Sequence, residues 1–167
     1  MKKIILASVL SLVLLVVFAL DAKAEMAKEG TYTGKMVMNI AFKSIAMGDR
    51  LVLGYEYLGV FLNDRGEGFL HNAPVHGFGV FHAVPSKGIL EHDRSSAVFK
   101  DSDGDQVIFT HEVAGKLDSV RTFTFHGGTG KYAGIQGGGT WIYVETGSAA
   151  EGTVQGYAIQ KGHWKLP

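Results

Sequence analysis

Phe125-His126-Gly127-Gly128-Thr129-Gly130-Lys131-Tyr132-Ala133-Gly134-Ile135-Gln136-Gly137-Gly138-Gly139-Thr140-Trp141 is the stretch that decides the fold. Its Gly130-Lys131 pair invites comparison with a phosphate-binding loop. Such a loop needs a Gly five residues before that pair's glycine and a Ser or Thr after the lysine. Phe125 and Tyr132 occupy those two places. The looser dinucleotide pattern is met by Gly128, Gly130 and Ala133, but it must open a helix whose N-terminus carries the pyrophosphate. The chain instead runs on through Thr140-Trp141-Ile142-Tyr143-Val144, a strand composition. The glycines therefore read as a sharp turn between two strands.

Outward from this run the pattern is the same. All 23 glycines lie after residue 24, among short runs of β-branched and aromatic residues. That composition predicts an all-β sandwich or barrel. No amphipathic helix of useful length, internal repeat, Pro-rich linker or low-complexity tail interrupts it.

The first 24 residues read differently. Met1-Lys2-Lys3 is a positive start, Ile4 to Leu20 is an unbroken apolar run, and Ala22-Lys23-Ala24 supplies a small-residue cleavage site. This is the three-part form of a secretory signal peptide; the alternative is an uncleaved membrane anchor. Cleavage before Glu25 predicts a periplasmic or secreted domain spanning 25–167, with membrane contact only through the segment removed. Taking three lysines and one aspartate from 16 basic and 16 acidic residues leaves a net charge of −2. A near-neutral chain with no basic cluster does not suit nucleic acid. The absence of cysteine rules out disulfides, thiol nucleophiles and Cys-ligated metals.

Two turn motifs carry a resemblance. Gly127-Gly128-Thr129-Gly130-Lys131-Tyr132-Ala133-Gly134 resembles the glycine loop of the dirigent and allene oxide cyclase group of small β-barrels, with Tyr132 where dirigent proteins carry Phe. Asp101-Ser102-Asp103-Gly104-Asp105 followed by Gln106-Val107 is similar to a turn in bacterial secreted members of that group. The resemblance implies an all-β, eight-stranded antiparallel barrel with a central apolar cavity, often trimeric. Its plant members close a reactive lipid epoxide into a ring or steer radical coupling of phenols. None of their catalytic residues aligns onto this sequence, and none is carried over.

Strand patterning supplies the candidate site. Met36, Met38, Ile40 and Phe42 form one clean apolar face. From Arg50 to Leu62 both faces are apolar, with Leu51, Leu53, Tyr55 and Tyr57 opposing Val52, Glu56, Leu58 and Val60. Such a strand is central, or has its outside covered by another subunit. Together with what the resemblance implies, this makes a homotrimer the expected assembly. Phe69 to Val84 reads as the next strand or pair, interrupted by Pro74. Asp103-Gly104 suits a two-residue hairpin turn. That turn sets Val98 opposite Phe109 and puts Arg94, Phe109 and His111 on one inward face. Arg121, Phe123 and Phe125 share a face further on. Glu56, if internal, is a desolvated carboxylate in general-acid range, with Arg94, His111 and Arg121 as charged partners and Phe109 and Phe123 as an aromatic wall.

No cofactor or metal site is expected. His76 and His82 share a strand face but lie ~20 Å apart at about 3.3 Å per residue. Asp101, Asp103, Asp105 and Glu112 fit a calcium-loop spacing, yet Gln106 stands where that loop requires Gly. A Ser-His-Asp triad lacks its Gly-x-Ser-x-Gly elbow. The expected function is binding or non-covalent steering of a small apolar or phenolic molecule. The alternatives are a cofactor-free cyclase or isomerase using Glu56 with an Arg or His, and a structural envelope protein with a filled barrel.

Overall fold

The computed structural model describes residues 26–167; the expected signal segment and the expected cleavage site before Glu25 lie outside the described residues. Eight antiparallel strands close into one barrel in chain order, the last pairing with the first. They are β1 (Glu29–Met47), β2 (Arg50–Asn63), β3 (Ala73–Val84), β4 (Ile89–Lys100), β5 (Gln106–Lys116), β6 (Arg121–Gly128), β7 (Gln136–Gly147) and β8 (Thr153–Lys165). Closure removes every sheet edge, and the interior must then be filled by one face of each strand.

Large aromatics supply that filling, and glycines make room for them. Tyr55 of β2 pairs with Gly79 of β3, and Tyr57 pairs with Gly77. A Cβ at Gly79 would stand 2.2 Å from the Tyr55 ring, and one at Gly77 2.3 Å from the Tyr57 ring. Each tyrosine thus lies flat across β3 and reaches β4 beyond it. This is why the chain spends so many glycines inside strands, where they otherwise weaken a sheet.

The barrel has a closed and an open end. At the closed end the β2–β3 connection folds inward. Phe69 stacks on Trp164 at 4.4 Å and 4° and packs edge-on against Tyr132 at 6.0 Å. Phe69 and Leu70 are buried in this connection, not in a strand; β3 begins at Ala73, with Pro74 beside its start. The two turn motifs dock on each other here. The Lys131 amide donates to Asp105 Oδ2, its Nζ lies 2.5 Å from Asp101 Oδ2 and 2.8 Å from Asp103 Oδ2, and Gln106 N donates to Thr129 Oγ1. Gly130, at φ +52, has no room for a side chain beside the Asp105 carboxylate. A lysine ammonium thus occupies the position between carboxylates that the calcium-loop spacing suggests for an ion.

The β4–β5 connection corrects the expected register. Lys100 pairs with Gln106, so the loop is Asp101–Asp105, and Val98 faces Ile108 rather than Phe109. Asp101 Oδ1 accepts from the amides of Asp103 and Asp105, an Asx-type wrap longer than a two-residue turn. A slip of one residue reverses every side chain on one strand. Arg94 is therefore outside, and Asp93 and Ser95 are inside.

Candidate functional site

The upper half of the barrel encloses a cavity of about 600 Å³ that opens between the connections at the open end. Its floor is Met36, Met38, Phe109 and Gln160, and Leu51, Leu53 and Leu117 lie toward its mouth. Tyr55, Tyr57, Phe81, Trp141 and Tyr143 form aromatic walls. Apolar walls with a few convergent polar groups are the composition of small-molecule sites.

Those polar groups meet at Asp93, which is 2% exposed. A bulge between Leu90 and Asp93 lets both face inward although they are an odd number of residues apart. Tyr55 Oη, carried across Gly79, donates to Asp93 Oδ1 at 2.7 Å. Arg121 Nη1 donates to Asp93 Oδ2 at 2.5 Å, while its Nη2 donates to the Leu117 carbonyl at 3.3 Å. The Arg121 guanidinium also lies 4.8 Å from the Trp141 ring centre. His111 Nε2 is 3.1 Å from Asp93 Oδ1 but misaligned for a hydrogen bond, so that contact is electrostatic. His111 Nδ1 meets Ser95 Oγ at 3.1 Å, and Ser95 Oγ meets Tyr57 Oη at 3.4 Å.

Burial alone would raise the Asp93 carboxyl. His111, Tyr55 and Arg121 outweigh it and hold the carboxyl below the usual carboxylate range. Asp93 is therefore ionised, and the Tyr55 hydroxyl beside it is pushed up, first by burial and then by that negative charge. Burial likewise raises Tyr57. Burial and the charge of Glu145 push Tyr143 up to about 12. A proton on His111 Nε2 faces the Asp93 carboxylate at 3.1 Å. With the proton there, Nδ1 accepts from Ser95, which accepts from Tyr57.

This line of Ser95, His111 and Asp93 has the residue types of a hydrolase triad, with the serine buried behind the cavity wall. Ser95 is 2% exposed and is not part of the cavity lining, and its hydroxyl is engaged by His111 and Tyr57. It orients His111.

The structure brings His111, Arg121 and Phe109 together at the cavity and removes three other candidates. Glu56 is on the outside of β2, about half exposed, with its Oε1 2.7 Å from His76 Nε2. The inward face of that strand belongs to Tyr55 and Tyr57, because only they find glycines opposite. Arg94 is outside and 3.8 Å from Glu112, a consequence of the register. Phe123 faces inward but below the cavity, packed edge-on against Phe109 at 5.6 Å and Phe125 at 5.6 Å. The sequence reading missed Asp93 altogether. Its traceable signals were the Asx wrap at Asp101 and the matched spacing of Tyr55/Tyr57 with Gly77/Gly79.

No protein-family model matches the chain, and no curated protein matches it. Among solved structures it is similar to a pterocarpan synthase dirigent protein, with a TM-score of 0.51 and 10% identity over 84% of this chain and 91% of that one. At that identity the likeness is one of fold, and the fold is the dirigent-like eight-stranded antiparallel barrel.

Proposed function

We propose that the barrel binds a small apolar or phenolic molecule in its open cavity and steers that molecule's reaction without a covalent intermediate. The observation that carries this reading is an ionised, buried Asp93, held by Arg121, Tyr55 and His111, in the wall of an otherwise apolar cavity. A charge assembly so placed offers an oriented field and hydrogen bonds to one end of a ligand, while aromatic walls fix the rest. The open space weighs against a filled structural barrel.

A second reading follows from the same cluster. Asp93, His111 and Tyr55 can hold and pass a proton, so a cofactor-free cyclase or isomerase would use them in place of Glu56. Cleavage after Ala24 would deliver the domain to the periplasm or medium. The outer wall of β1 to β3, with Leu58 58% and Phe78 57% exposed, would pack against two further copies in a trimer.

Native mass spectrometry of protein purified from its own envelope tests the binding reading. A retained small molecule, lost in Arg121→Met, is the expected result. Protein that retains nothing, and that also fails to bind 2-naphthol at millimolar concentration, refutes it. Turnover of the identified molecule that disappears in Asp93→Asn, with binding kept, would favour the enzyme.

A further inference from the structure

The open end carries the most exposed large apolar side chains of the described residues. Ile45 is 67% exposed, Val120 63% and Met47 61%, and Ile89 adds 41%. Ile45 and Met47 stand on the β1–β2 hairpin, which runs on past Ala41, the last β1 residue paired with β8. Val120 lies on the β5–β6 connection, and Ile89 begins β4. Three separate connections around the mouth thus end in apolar tips. Among the described residues, the connections of the closed end expose no large apolar side chain.

A single exposed apolar residue is ordinary. The three most exposed large apolar side chains of the described residues gather on the rim of one end, whereas the others apart from Ile89 lie along the outer wall of the strands. The tips stand on separate connections with the cavity mouth between them. A folded protein partner buries a continuous surface, whereas a fluid lipid layer admits separated tips, each to its own depth. Nearby charges are partly paired with one another, Arg50 with Glu91 at 3.1 Å and Lys87 with Asp49 at 3.3 Å. The rim's attraction is therefore apolar more than electrostatic. Leu51 and Leu117 continue it into the cavity.

We infer that the open end docks on a phospholipid bilayer, with Ile45, Met47, Ile89 and Val120 in the interface and the mouth facing the membrane. A ligand dissolved in the bilayer then enters the cavity without crossing water. The loading step rests on the cavity reading above; the docking does not.

All eight strands lie between Glu29 and Lys165, so protein beginning at Glu25 keeps the barrel and lacks the apolar Ile4–Leu20 stretch, which would bind lipid itself. Co-sedimentation of that protein with phosphatidylcholine vesicles, with and without phosphatidylglycerol, is the test. Binding to both vesicles at low and high salt is expected. Partitioning should weaken at least about tenfold in Ile45→Ser/Met47→Ser/Val120→Ser. It should be unchanged in the wall variant Leu58→Ser/Phe78→Ser. Failure of the parent protein to sediment, or binding that needs the anionic lipid and vanishes in salt, overturns the docking. So does equal binding by the rim variant, loss in the wall variant instead, or a rim variant that alters only the oligomeric mass. A rim variant that leaves the vesicles yet retains its small molecule separates the two proposals, leaving the cavity reading intact.

Discussion

The two ends of the barrel use the same strands for opposite purposes. At the closed end, aromatic rings from a connection, a turn and the last strand converge and stopper the barrel interior, leaving only a cleft on the outer side of the plug: Phe69 on Trp164, Tyr132 beneath, Lys131 between two carboxylates. At the open end the strands carry side chains of similar size, but the connections line the mouth without plugging it, so the interior stays open. Charge follows the same division. The closed end pairs its ions with each other, Lys131 and Asp103 partly solvated and Asp101 tucked beneath them. The cavity holds one carboxylate out of water and surrounds it with a cation and hydrogen-bond donors. A plug can rely on packing, whereas a site must hold unfilled space and buried charge together.

The largest effect should come from breaking the plug. Phe69→Ala removes a fully packed ring and is expected to lower stability by about 4 kcal/mol, against about 1 kcal/mol or less for Leu53→Ala at the open end, where the side chain already borders a void. Denaturant midpoints for the two variants measure this, and equal losses would show that the two ends are packed alike. Asp93→Asn should follow at about 3 kcal/mol, since it leaves the Arg121 cation buried without its counter-charge. Asp93→Asn/Arg121→Met should recover part of that loss, which separates uncompensated charge from lost volume.

Smaller effects sharpen the contrast. Gly79→Ala should displace the Tyr55 ring from β3, costing roughly 1–3 kcal/mol. Its Tyr55 to Asp93 hydrogen bond should break while the closed end is undisturbed. Acid should unfold the cavity half preferentially. The native Asp93 carboxyl titrates below its unfolded range of about 3.9, so its contribution is complete above that value. That contribution is lost as pH falls through the unfolded value towards the lower native one. Stability measured across that window should fall less steeply in Asp93→Asn. The smallest change is expected from Lys131→Met, at most about 1 kcal/mol and weaker in high salt, because that ammonium is partly solvated.

Much of this architecture was legible in one dimension. The glycine run with its strand-forming continuation and the absence of helical periodicity specified an all-β sandwich or barrel, and the resemblance carried by the two turn motifs implied the eight-stranded antiparallel barrel. The alternations on β1, β5 and β6 placed Met36, Phe109, His111 and Arg121 on inward faces. Each of these is a local property: a turn residue's permitted φ, or a period of two along a strand. Glu56 and Arg94 mark where that kind of evidence ends. On β2 both faces are apolar, so alternation yields two sets and cannot rank them. Only the glycines of the neighbouring strand, which admit Tyr55 and Tyr57, decide which set turns inward. On β4 the loop wrapped by Asp101 moved the pairing by one residue, and a bulge near Asp93 shifted it again. Either change exchanges the inside of a strand for its outside. Sequence by itself determined that the chain is built of strands, where the glycine turn falls and the kind of interior, while the length of the β4–β5 loop and the start of β3 came from the structure. Tertiary structure alone decided the register, and with it the choice of Asp93 over Glu56 as the buried carboxylate, because register is fixed by pairing between strands rather than by any residue within one.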